Sequence, residues 1–121
     1  METLIRNASF ETPAIELNAG NGRIEFSGRS LPEDSATYYR PVLNWIDEYV
    51  NKPKEKTDVE IKLEYFNTAT SMVLLKMFNK LQSLSEVTIH WYHYPEDDDM
   101  LESGKEFEEL SRLNFVFHEL A

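Results

Sequence analysis

Two short runs near the start of the chain alternate apolar and polar residues, 14–18 (Ala-Ile-Glu-Leu-Asn) and 23–27 (Arg-Ile-Glu-Phe-Ser). Between them lies Ala19-Gly20-Asn21-Gly22, rich in residues that tolerate positive φ, so the pair reads as a β-hairpin. A short extra strand is also compatible with residues 4–8. Residues 28–34 then read as a loop leading into a helix. Tyr39, Val42, Leu43, Ile46, Tyr49 and Val50 recur at three- and four-residue spacing, the mark of one buried helical stripe. Pro41 lacks a backbone donor, so either this helix starts there or it is kinked after a preceding turn. Residues 57–66 form the clearest strand, with Val59, Ile61, Leu63 and Tyr65 on one face and Glu60, Lys62 and Glu64 on the other. A mostly apolar helix is expected over 69–84, with a polar stripe of Lys76, Asn79, Lys80 and Ser83. A strand over 86–94 follows, presenting Val87, Ile89 and Trp91 on one face. A third helix over 97–112 turns Met100, Gly104, Phe107, Leu110 and Ser111 inward, and a last strand covers 114–118.

The predicted order is β-β-α-β-α-β-α-β. Helical crossovers imply parallel pairing of the later strands, and the hairpin adds an antiparallel pair. A strand covered on both faces would be apolar throughout, whereas 57–66 alternates. Helices should therefore cover one face and leave the other partly wet. The expected fold class is a two-layer α/β domain with a mixed sheet, and 121 residues make one such domain, 1–121.

Charge and composition narrow the function. The formal net charge is -10, from 22 acids against 12 bases, and the bases are scattered. A chain of this kind repels nucleic-acid backbones and anionic membranes. It has no cysteine, which removes disulfides, thiolate metal sites and cysteine nucleophiles. Residues 1–6 lack the apolar core of a signal peptide and no run suits a membrane span, so a cytoplasmic protein is expected.

Candidate chemistry is sparse. His90 and His93 stand three apart in a strand and so face opposite sides, and His118 is alone near the C-terminus. Glu96-Asp97-Asp98-Asp99 is the densest charge run and suggests a magnesium-dependent hydrolase. It also coincides with a helix start, where carboxylates complement the helix dipole, and this is the favoured reading. No nucleophile elbow, P-loop, dinucleotide fingerprint or zincin motif occurs. No enzyme activity, cofactor or metal is expected.

The turn Asn67-Thr68-Ala69-Thr70-Ser71 joins the best strand to the most apolar helix. Its side chains supply candidate N-caps, and capping alone would account for them. Three hydroxyls exceed what capping needs, and the turn lies beyond the carboxyl end of a strand, where α/β sheets commonly meet ligands and partners. A phosphate there would be tolerated by the helix N-terminus and would add about two negative charges.

Three segments carry a family likeness: Gly28-Arg29-Ser30-Leu31-Pro32-Glu33, then Tyr39-Arg40-Pro41-Val42-Leu43-Asn44-Trp45-Ile46, then Leu63-Glu64-Tyr65-Phe66-Asn67-Thr68-Ala69-Thr70-Ser71. In this order and spacing the chain resembles the SiaC family of bacterial regulatory phosphoproteins, single domains similar to STAS anti-anti-sigma factors. The resemblance spans about residues 8–117. It implies a partner-switching circuit, in which a cognate kinase phosphorylates a hydroxyl at the start of the helix after the central strand. A PP2C-type phosphatase removes the phosphate, and the unmodified form engages an output protein, a diguanylate cyclase in characterised members. Cyclic-di-GMP signalling and control of biofilm or aggregation would follow. The acceptor falls on Thr68, with Thr70 and Ser71 as alternatives.

A partner surface is expected around that turn from Pro32, Glu33, Asp34, Tyr38, Glu64, Phe66 and Asn67. Tyr39 and Tyr65 are assigned to the core. With no arginine in the neighbouring sequence to capture a phosphate, modification should act by excluding a partner, not by reshaping the domain. The competing reading is a constitutive adaptor of the same fold, whose hydroxyl turn only caps a helix.

Overall fold

The computed structural model describes residues Met1–Ala121. Six strands alternate with three helices: β1 (Leu4–Arg6), β2 (Ala14–Asn18), β3 (Arg23–Ser30), α1 (Ser35–Tyr49), β4 (Thr57–Phe66), α2 (Thr68–Leu81), β5 (Val87–His93), α3 (Asp98–Ser111) and β6 (Asn114–Glu119). Their order in the single sheet is their order in the chain. β1, β2 and β3 pair antiparallel, and β3 to β6 pair parallel. Each crossover steps the same way, so right-handed connections place all three helices on one face.

That face holds the core. Ile24 and Phe26 stand opposite Val59 and Ile61, and Ile89 and Trp91 continue the layer into β5. The other face carries no helix and is finished by polar side chains that cover one another. Glu25 bridges Arg23 and Lys62 at 3.1 and 3.2 Å. Tyr92 donates its hydroxyl to Glu60 at 2.7 Å, and Glu60 is only 7% exposed although no helix covers it. Burial, and next this hydrogen bond to Glu60, push the Tyr92 hydroxyl up to about 12. His118 is not alone as its sequence position suggests. Its Nε2 meets His90 Nδ1 at 2.9 Å, because the parallel pairing of β5 and β6 sets His90 opposite Val116, a diagonal step from His118. His90 Nε2 contacts Asp58 at 3.1 Å.

Several boundaries differ from the sequence reading, for local reasons. Gly28, Arg29 and Ser30 are strand, not loop, because they pair with Leu63, Tyr65 and Phe66. The first helix starts at Ser35 under an Asp34 N-cap, which accepts from the Thr37 backbone at 3.2 Å and its hydroxyl at 2.8 Å. Those hydrogen bonds hold the exposed Asp34 carboxyl below its ordinary range. Pro41 lies inside that helix, after its first turn, so the helix does not start there. Its missing N–H leaves the Thr37 carbonyl, one turn earlier, without a helical donor. Asp97 caps α3 by accepting from Met100 N–H at 3.0 Å, with Asp98 and Asp99 in the first turn, so the acidic run is a helix start. No group of three or more His, Asp or Glu side chains is placed to hold a metal ion. No helix is long and apolar enough to cross a membrane.

The register of β4 changes once. Gly28 faces Leu63 and Arg29 faces Tyr65, so Glu64 is an extra, unpaired residue. Gly28 sits beside this bulge at φ +96°, a conformation side-chain-bearing residues rarely adopt. The insertion reverses the alternation expected from the sequence. Tyr65 turns outward and is 53% exposed, while Phe66 turns toward the helices and packs on Trp91 and Phe107.

α3 closes on the sheet at Gly104, where an added Cβ would lie 2.6 Å from the Trp91 ring and 2.8 Å from Phe117. Trp91 is fully buried and donates its Nε1–H to the Met100 carbonyl at 2.9 Å, so it has no room to yield. Alanine in a helix interior ordinarily stabilises relative to glycine by about 0.5–1 kcal/mol. Here the clash outweighs that gain, and Gly104→Ala should destabilise by about 1–3 kcal/mol in a denaturant titration. A stabilised variant would contradict the packing described.

Candidate functional site

The turn after β4 is built from its backbone outward. Asn67 N–H donates to the Ser30 carbonyl at 3.0 Å, joining the ends of β4 and β3. The Asn67 side chain then caps α2 by accepting from Thr70 N–H at 2.9 Å, and its carbonyl accepts from Ser71 N–H at 3.0 Å. α2 thus begins at Thr68, one residue earlier than its apolar pattern indicates.

The three hydroxyls have different surroundings. Thr70 is fully buried. Its Oγ1 lies 3.1 Å from the Ser30 carbonyl and 2.8 Å from Ser30 Oγ, which in turn lies 2.5 Å from the Tyr39 hydroxyl. A carbonyl can only accept, so the direction of the chain follows. Thr70 donates to the Ser30 carbonyl, Ser30 donates to Thr70, and Tyr39 donates to Ser30. Burial, partly offset by its contact with Ser30, pushes the Tyr39 hydroxyl up to about 12. Thr70 is therefore part of the framework, and as an alternative acceptor it is closed off in this conformation. Ser71 is half-buried and donates to the Thr68 carbonyl at 2.9 Å. Thr68 is exposed, and its hydroxyl makes no side-chain hydrogen bond within the chain.

Thr68 stands at the edge of a groove of about 300 Å³ between α2 and α3. Phe66, Asn67 and Ser71 line it beside Thr68, and Leu75 and Phe107 add apolar surface. Met72 and Leu110 also line it, although each holds a large apolar side chain more than half exposed. Ser103 and the exposed Glu106 come from α3, and Glu106 is the only charged lining residue.

Of the residues assigned to a partner surface by sequence, Phe66 and Asn67 line this groove. Glu64 is exposed as the bulge residue. Glu33 and Asp34 are exposed on the loop leaving β3, along the same carboxyl edge of the sheet as Asn67. Pro32 is buried and presents nothing to a partner. Tyr38 packs edge-on against Tyr39 at 4.9 Å between ring centres, its hydroxyl 3.5 Å from the Pro13 carbonyl, and burial raises its pKa. It turns toward the N-terminal segment, away from the groove. Sequence reasoning missed Met72, Leu75, Ser103, Glu106 and Leu110. The usable signal was excess: α2 is apolar over more than one stripe, and Leu110 belongs to an apolar face already filled by Phe107.

The fold and the turn define a small α/β domain with an exposed hydroxyl beside an open groove between α2 and α3. The family model for the SiaC family regulatory phosphoproteins matches residues 6–120, and the chain belongs to that family. An uncharacterised protein of Pseudomonas aeruginosa (strain UCBPP-PA14) is 24% identical over 109 residues, covering 87% of this chain and 86% of the relative. The crystal structure of apo-SiaC from Pseudomonas aeruginosa superposes with a TM-score of 0.80 at 25% identity, over 100% of both chains. A chain in the crystal structure of the diguanylate cyclase SiaD with its activator SiaC, from the same organism, gives 0.89 at 21% identity, covering 97% of this chain and 99% of that one.

The hydroxyl chain makes two measurable predictions. Thr70→Val keeps the shape but leaves the Ser30 hydroxyl without an acceptor, and should lower stability by about 1–3 kcal/mol in chemical denaturation. Tyr39 titrates near 10 when unfolded and at about 12 when folded, so its contribution is complete below pH 10 and is lost as pH rises toward 12. Tyr39→Phe should therefore lose stability less steeply than wild type between pH 10 and 12. Equal slopes would place the alkaline loss elsewhere, Tyr92 first.

Proposed function

We propose that this chain is a non-enzymatic regulatory phosphoprotein, switched at Thr68, whose unmodified form binds an output protein through the α2–α3 groove. In this reading the kinase is cognate and the phosphatase of PP2C type; the output protein is a diguanylate cyclase, in keeping with the partner of the structural relative SiaC. The observation that carries this reading is the contrast within one turn. Thr70 is locked into the framework, while Thr68, two residues earlier, offers a free hydroxyl at the groove edge.

In the forward reaction Thr68 Oγ attacks the γ-phosphorus of ATP, the bond to ADP breaks, and the hydroxyl proton passes to a base on the kinase. Hydrolysis by the phosphatase returns the threonine and inorganic phosphate. Nothing in the fold must move for either step. The cap on Thr70 N–H is supplied by Asn67, and a phosphate at the first position of α2 is favoured by the helix dipole. The phosphate adds about two negative charges beside Phe66, Met72 and Glu106. A partner seated in the groove would have to strip water from that dianion, which is costly without a matching cation. Glu33, Asp34 and Glu64 on the same edge add repulsion toward any acidic partner.

Incubation with the kinase and ATP should add one phosphate, which mass spectrometry places on Thr68. Thr68→Ala should stay folded and take no label. Thr68→Glu should weaken binding of the output protein at least tenfold, as should Met72→Glu or Leu110→Glu on an unmodified background. Label on another residue, or partner binding indifferent to all three glutamates, would sink the reading and leave a constitutive adaptor.

A further inference from the structure

On the helix-free side of the sheet, ionisable side chains from β4, β5 and β6 form one connected group. His90 Nδ1 lies 2.9 Å from His118 Nε2, with 27° between the ring planes. His90 Nε2 lies 3.1 Å from Asp58 Oδ1 and 3.7 Å from Glu60 Oε2. Tyr92 stacks on His118 at 4.6 Å between ring centres and donates its hydroxyl to Glu60. Lys62 stands over the Tyr92 ring at 5.1 Å. Arg23 and Glu25 occupy the same face one strand further, on β3. On β6 the residues sharing this face with His118, Asn114 and Val116, are uncharged, and Glu119 alternates to the other side.

An ionised carboxylate only accepts, so His90 Nε2 carries a proton. His90 Nδ1 must then share one proton with His118 Nε2, because a hydrogen bond between ring nitrogens needs one N–H and one lone pair. That condition holds with both rings neutral, and it holds with one ring charged. With both rings charged, two N–H groups would face each other and the contact breaks. The surroundings are also uneven. A charge on His90 has Asp58 and Glu60 beside it, whereas His118 enters no ion pair. We propose that His90 and His118 form a proton-operated latch between β5 and β6, closed while at most one ring is charged and opened when both are. β6 is an edge strand and pairs only with β5. It also sets Phe117 under Gly104 of α3 and Phe115 against Phe78 of α2, so the latch secures the end of the sheet on which α3 rests. A detached β6 lets each imidazole take its own proton, so the open form binds more protons than the closed one and acid favours it. The contribution of the latch is therefore complete above the ordinary histidine range, around pH 6.5, and is lost as pH falls through and below it. None of this depends on which hydroxyl is modified.

Amide exchange followed by NMR on the full chain reads the latch, expressed as protection factors so that the intrinsic pH dependence of exchange is removed. The β6 amides bonded to β5 report it, Leu120 N–H on the His93 carbonyl at 2.8 Å among them. Asn67 N–H, bonded to the Ser30 carbonyl at 3.0 Å between β4 and β3, is the reference. Protection in β6 should fall at least tenfold from about pH 8 to about pH 5, while that of Asn67 holds. His118→Gln and, separately, His90→Gln keep a polar side chain but remove the second charge. Each should leave β6 protection independent of pH over that range, whatever its absolute level. Constant protection in the wild type would overturn the latch. A loss that survives in both variants would overturn it as well, moving the origin to His93 or to the carboxylates of β4. So would an equal loss at Asn67, which would mark opening of the whole domain.

Discussion

Three buried hydroxyls hold the functional end of this domain together. The run from Tyr39 through Ser30 to Thr70, closing on the Ser30 carbonyl, ties α1, the end of β3 and the first turn of α2 into one unit. Every donor in it has an acceptor, which is what a polar chain in a dry core requires. The same Ser30 carbonyl also accepts Asn67 N–H, so the strand-to-helix turn is anchored on both sides of Thr68. The exposed threonine is consequently displayed on a rigid mount. A modification there changes the surface without first having to be resisted by a mobile loop.

This hydroxyl chain draws one member from each of three separated segments of the sequence. Gly28–Glu33 contributes Ser30, the segment from Tyr39 contributes its phenol, and Leu63–Ser71 contributes Thr70. The bulge does the complementary work on the outer surface. One unpaired residue, Glu64, sends Tyr65 to one side of the sheet and Phe66 to the other, immediately before the turn. Without it, simple alternation would leave Tyr65 under the helices and Phe66 in water.

Much of the fold was legible because alternation and helical spacing are local signals. The hairpin, the three helices and the strand at Thr57–Phe66 follow from them directly, and the one-sided helical layer follows from the polar half of that strand. What was illegible depends on pairing between distant segments. The strand character of Gly28–Ser30, the reversal at Glu64 and the meeting of His90 with His118 all arise from register. The turn proposed to carry the acceptor was visible as a cluster of hydroxyls, but only burial separates Thr70 from Thr68. Pro32 and Tyr38 read as surface for the same reason: sequence shows that a residue lies near a loop, not which way the loop folds back. Met72 and Leu110 were hidden by a different ambiguity, since an apolar residue on a helix looks alike whether it faces a core or an open groove.

Charge sets the range over which such a switch can act. Two further negative charges on a chain that already carries -10 alter the whole-molecule field only modestly. At physiological ionic strength exposed charges are screened beyond about 8 Å, so a distant acidic surface on a partner would barely register the phosphate. Inside a water-excluding contact the balance is reversed, because the dianion must be either desolvated or matched. The effect is therefore strong only for a partner that covers Thr68 itself. That condition is met by whatever fills the groove lined by Phe66, Met72 and Leu110, and it is not met by a partner held on the far side of the sheet. For the switch proposed at Thr68, the position of the threonine at the groove edge, more than the charge it would gain, would make modification decisive.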